Sequence, residues 1–329
     1  MTATDGSGGA EIVVDVPPAP WTGRIDGDGP EHLRWHGAVR PYDASASETG
    51  CVLIGFASDE GVRRNLGRVG AAAGPDALRA ALASMALAAP LPIEDAGTVA
   101  VTDGDLEAGQ RRLARAVTAA IDSARLPVVL GGGHEVAYGT YLGVAASRPR
   151  RTRPRLGILN LDAHFDLRAD PVPSSGTPFR QALEAERAAG TPLRYAVLGI
   201  SEPSNTPALF AAAATHDVHH LLDENCTPAN LTKIDTFLDA FVSAVDLIHL
   251  TIDLDVLPAS VTPGVSAPAA YGVPLETIHH VCARITTTGK LIALDVAELN
   301  PTLDIDNRTA RTAARLIHTV VTRHVAPTT

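Results

Sequence analysis

Short, almost wholly apolar runs recur along this sequence and are separated by segments of helical pattern. CVLIGF (Cys51–Phe56), LPVVL (Leu126–Leu130), LGILNL (Leu156–Leu161), RYAVLGI (Arg194–Ile200), LIHLTI (Leu247–Ile252) and LIALDV (Leu291–Val296) are the clearest, with a weaker one at Val218–Leu222. A strand with one wet face alternates polar and apolar residues; a strand buried on both faces does not. These runs therefore call for a sheet covered on both sides. Helices are predicted over Pro75–Leu87, Leu106–Ala124, Glu135–Ala146, Pro178–Ala189, Thr206–Ala214, Ala229–Ala244 and Pro274–Thr287, with a last one capped by Asp306 and running to about Thr322. Regular alternation with short connections predicts a single α/β domain with a mostly parallel sheet. An irregular arm is expected over 1–48, the domain over 49–325 and a tail over 326–329.

At 329 residues, 45% of them hydrophobic, the chain can bury a large core. The net charge of −10 and the lack of a basic face argue against nucleic acid as a partner. The one basic run, RPRRTRPR at Arg148–Arg155, carries two prolines and reads as a solvated connection. Cys51, Cys226 and Cys282 show no CxxC spacing, so neither a disulfide framework nor a thiolate metal site is indicated. No run approaches the ~18 apolar residues of a membrane span. The first residues lack the basic start and apolar centre of a signal peptide. A cytoplasmic protein without a membrane partner is expected.

Chemistry gathers where the apolar runs end. His134 closes PVVLGGGHE, and Asp162, His164 and Asp166 close LGILNLDAHFD. Asp253 and Asp255 close HLTIDLD, and Glu298 follows LIALDVA. Sheets of this kind bind ligands beyond the carboxyl ends of their strands. Residues two apart in extended chain share a face, so each DxHxD or DxD set can point one way. Crowded carboxylates repel one another unless a cation balances them. An oxygen-rich set with some imidazole suits Mn²⁺ or Mg²⁺. Six ligands exceed the needs of one catalytic ion and fit two ions ~3.5–4 Å apart. The glycines of GGGHE are a poor phosphate loop, because the spacing is not GxGxxG and Glu135 would repel an anion.

GGGHE, DAHFD and IDLDVLPASVTPGVSAP resemble the ureohydrolase family of arginases, agmatinases and formimidoylglutamases. The resemblance implies a three-layer α/β/α fold, two Mn²⁺ per subunit, and trimers or hexamers. It assigns His134 and Asp166 to one ion, His164 and Asp255 to the other, and Asp162 and Asp253 as bridges. An arginase carries a histidine in the loop after DAHxD; here SSGTPFRQ (Ser174–Gln181) has Phe179 at that place. SSGTPFRQ, DEGVRRNLGR, SNTPALF, AELNPTLDIDNRTAR and the arm WTGRIDGDGPEHLRWH are similar to the formimidoylglutamase branch. The implied reaction is hydrolysis of N-formimidoyl-L-glutamate to L-glutamate and formamide, a step of histidine breakdown.

That substrate has two carboxylates and one amidine group. Arg64, Asn65, Arg168, Thr177 and Arg180 lie in segments adjoining the motifs, with Arg180 and Arg64 the first choices for gripping carboxylates. Glu298 is expected to hold the amidinium. The expected attack is by hydroxide formed from a bridging water. Asp166 is the candidate to carry its proton to the leaving amine, since Phe179 offers no shuttle. The rival readings are an agmatinase, guanidinobutyrase or arginase, which would release urea from their guanidino substrates, and a catalytically silent structural or regulatory subunit.

Overall fold

The structure, a computed structural model, describes residues 11–46, 49–191 and 193–325. The expected tail at 326–329 and the first ten residues of the expected arm lie outside these. In chain order the elements are α1 (Trp35–Ala38), β1 (Arg40–Pro41), β2 (Cys51–Ala57), α2 (Glu60–Arg64), α3 (Gly74–Ala83), β3 (Ile93–Ala100) and α4 (Leu106–Asp122). Then come β4 (Leu126–Leu130), α5 (Val136–Ala146), α6 (Arg148–Thr152), β5 (Leu156–Leu161), α7 (Pro178–Ala189), β6 (Leu193–Ile200) and α8 (Pro207–Thr215). The chain ends with β7 (His219–Leu222), α9 (Leu231–Ala244), β8 (Leu247–Asp253), α10 (Leu275–Thr286), β9 (Leu291–Ala297) and α11 (Arg308–Val325).

The strands form one nine-stranded sheet in the order β1-β3-β2-β4-β9-β8-β5-β6-β7, and the strand pairings are parallel. Helices cover both faces, giving the expected three layers. Along β2 the side chains part company: Leu53 joins the core beneath α3, α9, α10 and α11, whereas Val52, Ile54 and Phe56 join the core beneath α4, α5, α7 and α8. Two-sided burial is why these strands read as unbroken apolar runs. Strands β9 and β8, from late in the chain, sit between β4 and β5. The four strands β4-β9-β8-β5 are therefore neighbours, and their carboxyl ends face one crevice. No helix among the described residues is long and apolar enough to cross a membrane.

Local signals held where they were strong. Helix α7 starts at Pro178 and stops at Gly190 with φ 68°, the left-handed stop glycine favours. Elsewhere packing overrode the pattern. Strand β3, IEDAGTVA, was not anticipated, since Glu94, Asp95, Gly97 and Thr98 break its apolar run. Asp95 is buried because Arg79 meets both of its oxygens at 2.9 Å and Trp21 Nε1 donates to it at 2.9 Å. The arm is thereby fastened to the body, with Trp21 stacked on the buried Trp35. The arm is not wholly irregular, since it contributes α1 and β1. The basic run is not merely a solvated connection either: it forms α6, and its Arg150 is buried against Glu186 at 2.7 Å. Asp304 rather than Asp306 caps α11, accepting from the Thr309 and Ala310 N–H groups at 2.9 and 3.1 Å. Asp306 and Asn307 are left-handed residues at the helix entry, with φ 54° and 53°. Cys51, Cys226 and Cys282 are buried free thiols.

Candidate metal centre

Strand β4 delivers its ligand through three glycines. A Cβ at Gly132 would collide with the Ser58 carbonyl oxygen, so this loop is small for close packing. Behind it Glu135 is buried and accepts from Ser58 Oγ at 2.8 Å and Gly61 N–H at 2.9 Å. His134 itself is 1% exposed. Its N–H donates to Glu298 Oε1 at 2.8 Å, tying the end of β4 to the end of β9.

The Asp–x–His–x–Asp residues do converge, but not along an extended strand as the spacing suggested. The chain bends after Leu161, His164 N–H folds back onto Asp162 Oδ1 at 2.6 Å, and Asp166 takes a left-handed φ of 50°. Asp253 and Asp255 are likewise joined by a turn, with Asp255 N–H donating to Asp253 Oδ1 at 2.8 Å. Glu298 has φ 71°. Non-glycine residues in this region cost of order 1–3 kcal/mol each and cluster at functional sites. Both residues expected to be catalytic are of this kind.

Two sets of ligand atoms result. His134 Nδ1 lies 3.2 Å from Asp162 Oδ2, 3.0 Å from Asp166 Oδ2 and 3.0 Å from Asp253 Oδ2. His164 Nδ1 lies 3.5 Å from Asp162 Oδ1 and 3.1 Å from Asp255 Oδ2. Asp162 thus turns one oxygen to each set, and His134, Asp162 and Asp253 on one side and Asp162, His164 and Asp255 on the other lie close enough together to enclose one ion each, with Asp166 beside the first. Asn160 Nδ2 donates to Asp162 Oδ2 at 2.8 Å and is itself backed by the Tyr195 hydroxyl at 3.1 Å. Asn205 staples the DAHFD bend, accepting from Phe165 N–H at 3.1 Å and donating to Ala163 O at 2.9 Å. Phe179 stacks on Tyr195 and meets the His134 ring edge-on at 5.2 Å.

The electrostatics ask for positive charge. Burial, then the charge of Asp255, pushes the Asp253 carboxyl well up. Burial, then the charge of Asp162, pushes Asp166 up to about 6. Burial opposes a charged His134, yet three carboxylates raise its pKa well above the usual value. His134 Nδ1 is buried with no well-formed hydrogen bond, although acceptor oxygens surround it. An imidazole nitrogen aimed at acceptor-only groups is the donor set of a divalent cation, so these residues fit one. Glu298 is pushed up to about 8 by burial and then by the charge of Glu135.

Above the two sets is a cavity of about 460 Å³. Asn65, Arg68, Arg168, Ser175, Ser266 and Glu298 line it beside the ligands. Of the residues proposed for substrate, Asn65, Arg168 and Glu298 are there; Arg64, Arg180 and Thr177 are not among the lining groups. Arg64 is consumed by Glu60 and Glu107 at 2.8 and 2.7 Å and by the Pro173 and Gly104 carbonyls at 3.0 Å. Arg180 pairs with Glu184 one helical turn on, at 2.8 Å. The buried Thr177 hydroxyl is engaged with Ser174 and Gln181. Arg68, passed over in the sequence, lines the cavity with its guanidinium braced on the Ser266 and Val265 carbonyls at 3.0 and 2.8 Å. Asn160 and Thr251 were also missed. Each is a polar residue inside an apolar run, two positions before a ligand aspartate and so on its face.

The chain is similar to known proteins along most of its length. The chain is 64% identical to formimidoylglutamase of Rhodococcus jostii (strain RHA1) over 310 residues, covering 94% of this chain and 97% of the relative. It is 66% identical over 309 residues to formimidoylglutamase of Nocardia farcinica (strain IFM 10152), covering 94% and 98%. The crystal structure of formimidoylglutamase from Bacillus subtilis shares the fold, with a TM-score of 0.78 at 23% identity over 94% of this chain and 98% of that one. That of Trypanosoma cruzi formiminoglutamase with Mn²⁺₂ superposes with a TM-score of 0.73 at 28% identity, over 85% and 95%. The sequence profile of the arginase family matches residues 49–322, and this chain belongs to that family.

Proposed function

We infer that the chain hydrolyses N-formimidoyl-L-glutamate to L-glutamate and formamide, with two divalent cations, Mn²⁺ in the first instance, in its two ligand sets. The observation that carries the reading is the shared Asp162 carboxylate between two histidine–aspartate sets, on the floor of a cavity walled by arginines. His134, Asp162, Asp166 and Asp253 would hold one ion; His164, Asp162 and Asp255 would hold the other. Asp253 Oδ1 accepts from the Asp255 N–H, which fixes the carboxylate's orientation toward the ligand sets. When bound, such a pair supplies Lewis-acid activation of water near neutral pH.

The chain's own groups do the rest. Arg68 and Arg168 offer planar donor forks for the two substrate carboxylates, and Asn65, Ser175 and Ser266 add neutral donors. The rest of the cavity's charged lining is the ligand residues and Glu298, which leaves the arginine side as the seat for carboxylates. The amidine end then faces Glu298, whose buried carboxyl ionises beside a cation. Attack of water on the formimidoyl carbon breaks its bond to the glutamate nitrogen. Asp166 Oδ passes the proton that this nitrogen needs to leave as an amine. Residues 49–325 would be the catalytic unit, with 1–48 an arm on it. A cytoplasmic location and a trimer or hexamer complete the reading. The test is release of both formamide and glutamate from formimidoylglutamate with and without Mn²⁺; urea from arginine, agmatine or guanidinobutyrate would contradict it.

A further inference from the structure

A polar column descends from the floor of the site into the sheet. His249, Thr251 and Asp253 alternate along one face of β8, and Asp295 of β9 stands in register with Thr251. His249, Thr251 and Asp295 are each 0% exposed. His134 Nε2 is 3.0 Å from Thr251 Oγ1, the Thr251 hydroxyl donates to Asp295 Oδ1, and Asp295 Oδ2 accepts from His249 Nε2. The strand neighbours of Asp295 are the buried Leu294 and Val296. A carboxylate in such a place opposes folding unless it is well paired, so the column calls for a reason.

The reason lies in proton counting. A hydroxyl has one proton, and a carboxylate only accepts. With Asp295 taking the Thr251 proton, the hydroxyl oxygen is left as an acceptor for His134. On the neutral ring that a cation requires, the single His134 proton must then sit on Nε2, which leaves the Nδ1 lone pair on the side of the aspartates. If Thr251 could turn and donate to His134, the ring would carry its proton on Nδ1, where a cation must bind. His164 reaches the cavity wall and lies outside this column.

We propose that Asp295, held by His249 and acting through Thr251, is the positioning residue that sets His134 in its ligating tautomer and so sets the cation affinity of the His134 set alone. This rests on the two-cation reading above. The test strips the full chain with chelator and titrates it with Mn²⁺, following bound metal and the electron paramagnetic resonance spectrum. Asp295→Asn and Thr251→Val are expected to weaken one of the two ions 10–100-fold, leaving the other unchanged. A spectrum of isolated Mn²⁺ should then replace the spin-coupled pair at sub-saturating metal. Thr251→Ser, which keeps the hydroxyl, is expected to restore both ions. If Thr251→Val fails to fold, the near-isosteric Asp295→Asn decides. The proposal is overturned if Asp295→Asn binds two ions with unchanged affinity, or if both ions weaken equally. Should the unsubstituted chain bind fewer than two ions, the two-cation reading itself fails, separately from the role of Asp295.

Discussion

Individual side chains divide into those whose role follows from type and place and those whose role follows from direction. The six candidate ligands were legible because Asp and His at the ends of buried strands have few other uses in such numbers. The arginines were not legible, because lying near a motif does not say where a guanidinium points. Arg64 is turned to Glu60 and Glu107, whereas Arg168 lines the cavity. Arg168→Ala should therefore raise KM for formimidoylglutamate by about 10–100-fold, the loss of about 1.5–3 kcal/mol from charged hydrogen bonds. Its metal content should stay unchanged. An unaltered KM would remove Arg168 from the carboxylate seat. Asp166→Asn should lower kcat at least ~100-fold, as removal of a proton carrier does. Two bound ions with near-normal turnover in that variant would end the assignment.

Elements obeyed their local signals except where a distant partner changed the terms. Strand β3 could not be read from IEDAGTVA because its acidic residues are held by distant partners, Asp95 by Arg79 of α3 and by Trp21, Glu94 by Arg125. Removing one member of a buried pair strands the other, at a cost of about 3–5 kcal/mol. Asp95→Ala should show that loss in denaturant unfolding; a change under 1 kcal/mol would mean the pair is idle. Helix α2 carries a pH-dependent link of its own. Glu60 receives Arg63 and Arg64, and these guanidinium groups hold its carboxyl at about 2, against an ordinary 4.5. The depressed value means that the stabilisation is present above the unfolded-state pKa and is lost as pH falls through about 2. Acid titrations of the unsubstituted chain and of Glu60→Gln, followed by circular dichroism, should diverge above pH 4.5 and meet near pH 2. Parallel curves throughout would contradict the link.

For the whole molecule the decisive feature is the strand order. Placing β9 and β8 between β4 and β5 gathers ligands from positions 134, 162–166 and 253–255 at one crevice. A cation there would bridge segments far apart in the chain and so would bind the folded state alone. Saturating Mn²⁺ should stabilise the chain by mass action, about 2.7 kcal/mol at a hundred times Kd. Chelation should lower Tm, and re-addition should restore it. A Tm indifferent to chelator would show that the crevice binds no cation in the folded chain.

The sequence by itself determined the alternation of strands and helices, the two-sided burial of the sheet and the residues at its strand ends. Those are short-range properties: periodicity, caps and the low odds of so many carboxylates closing buried runs. Only the tertiary structure decided that DAHFD converges through a bend and a left-handed Asp166 rather than through extended chain. It also decided that Arg68 and Arg168, not Arg64 and Arg180, line the cavity, and that Thr251 and Asp295 stand behind His134. A side chain's direction is set by partners hundreds of residues away in some cases and one strand away in others. Arg64 and Arg180 are turned in part by Glu60 and Glu184 one helical turn away, but no local pattern carries the Thr251 and Asp295 partners of His134, which meet it only when β9 and β8 slot between β4 and β5.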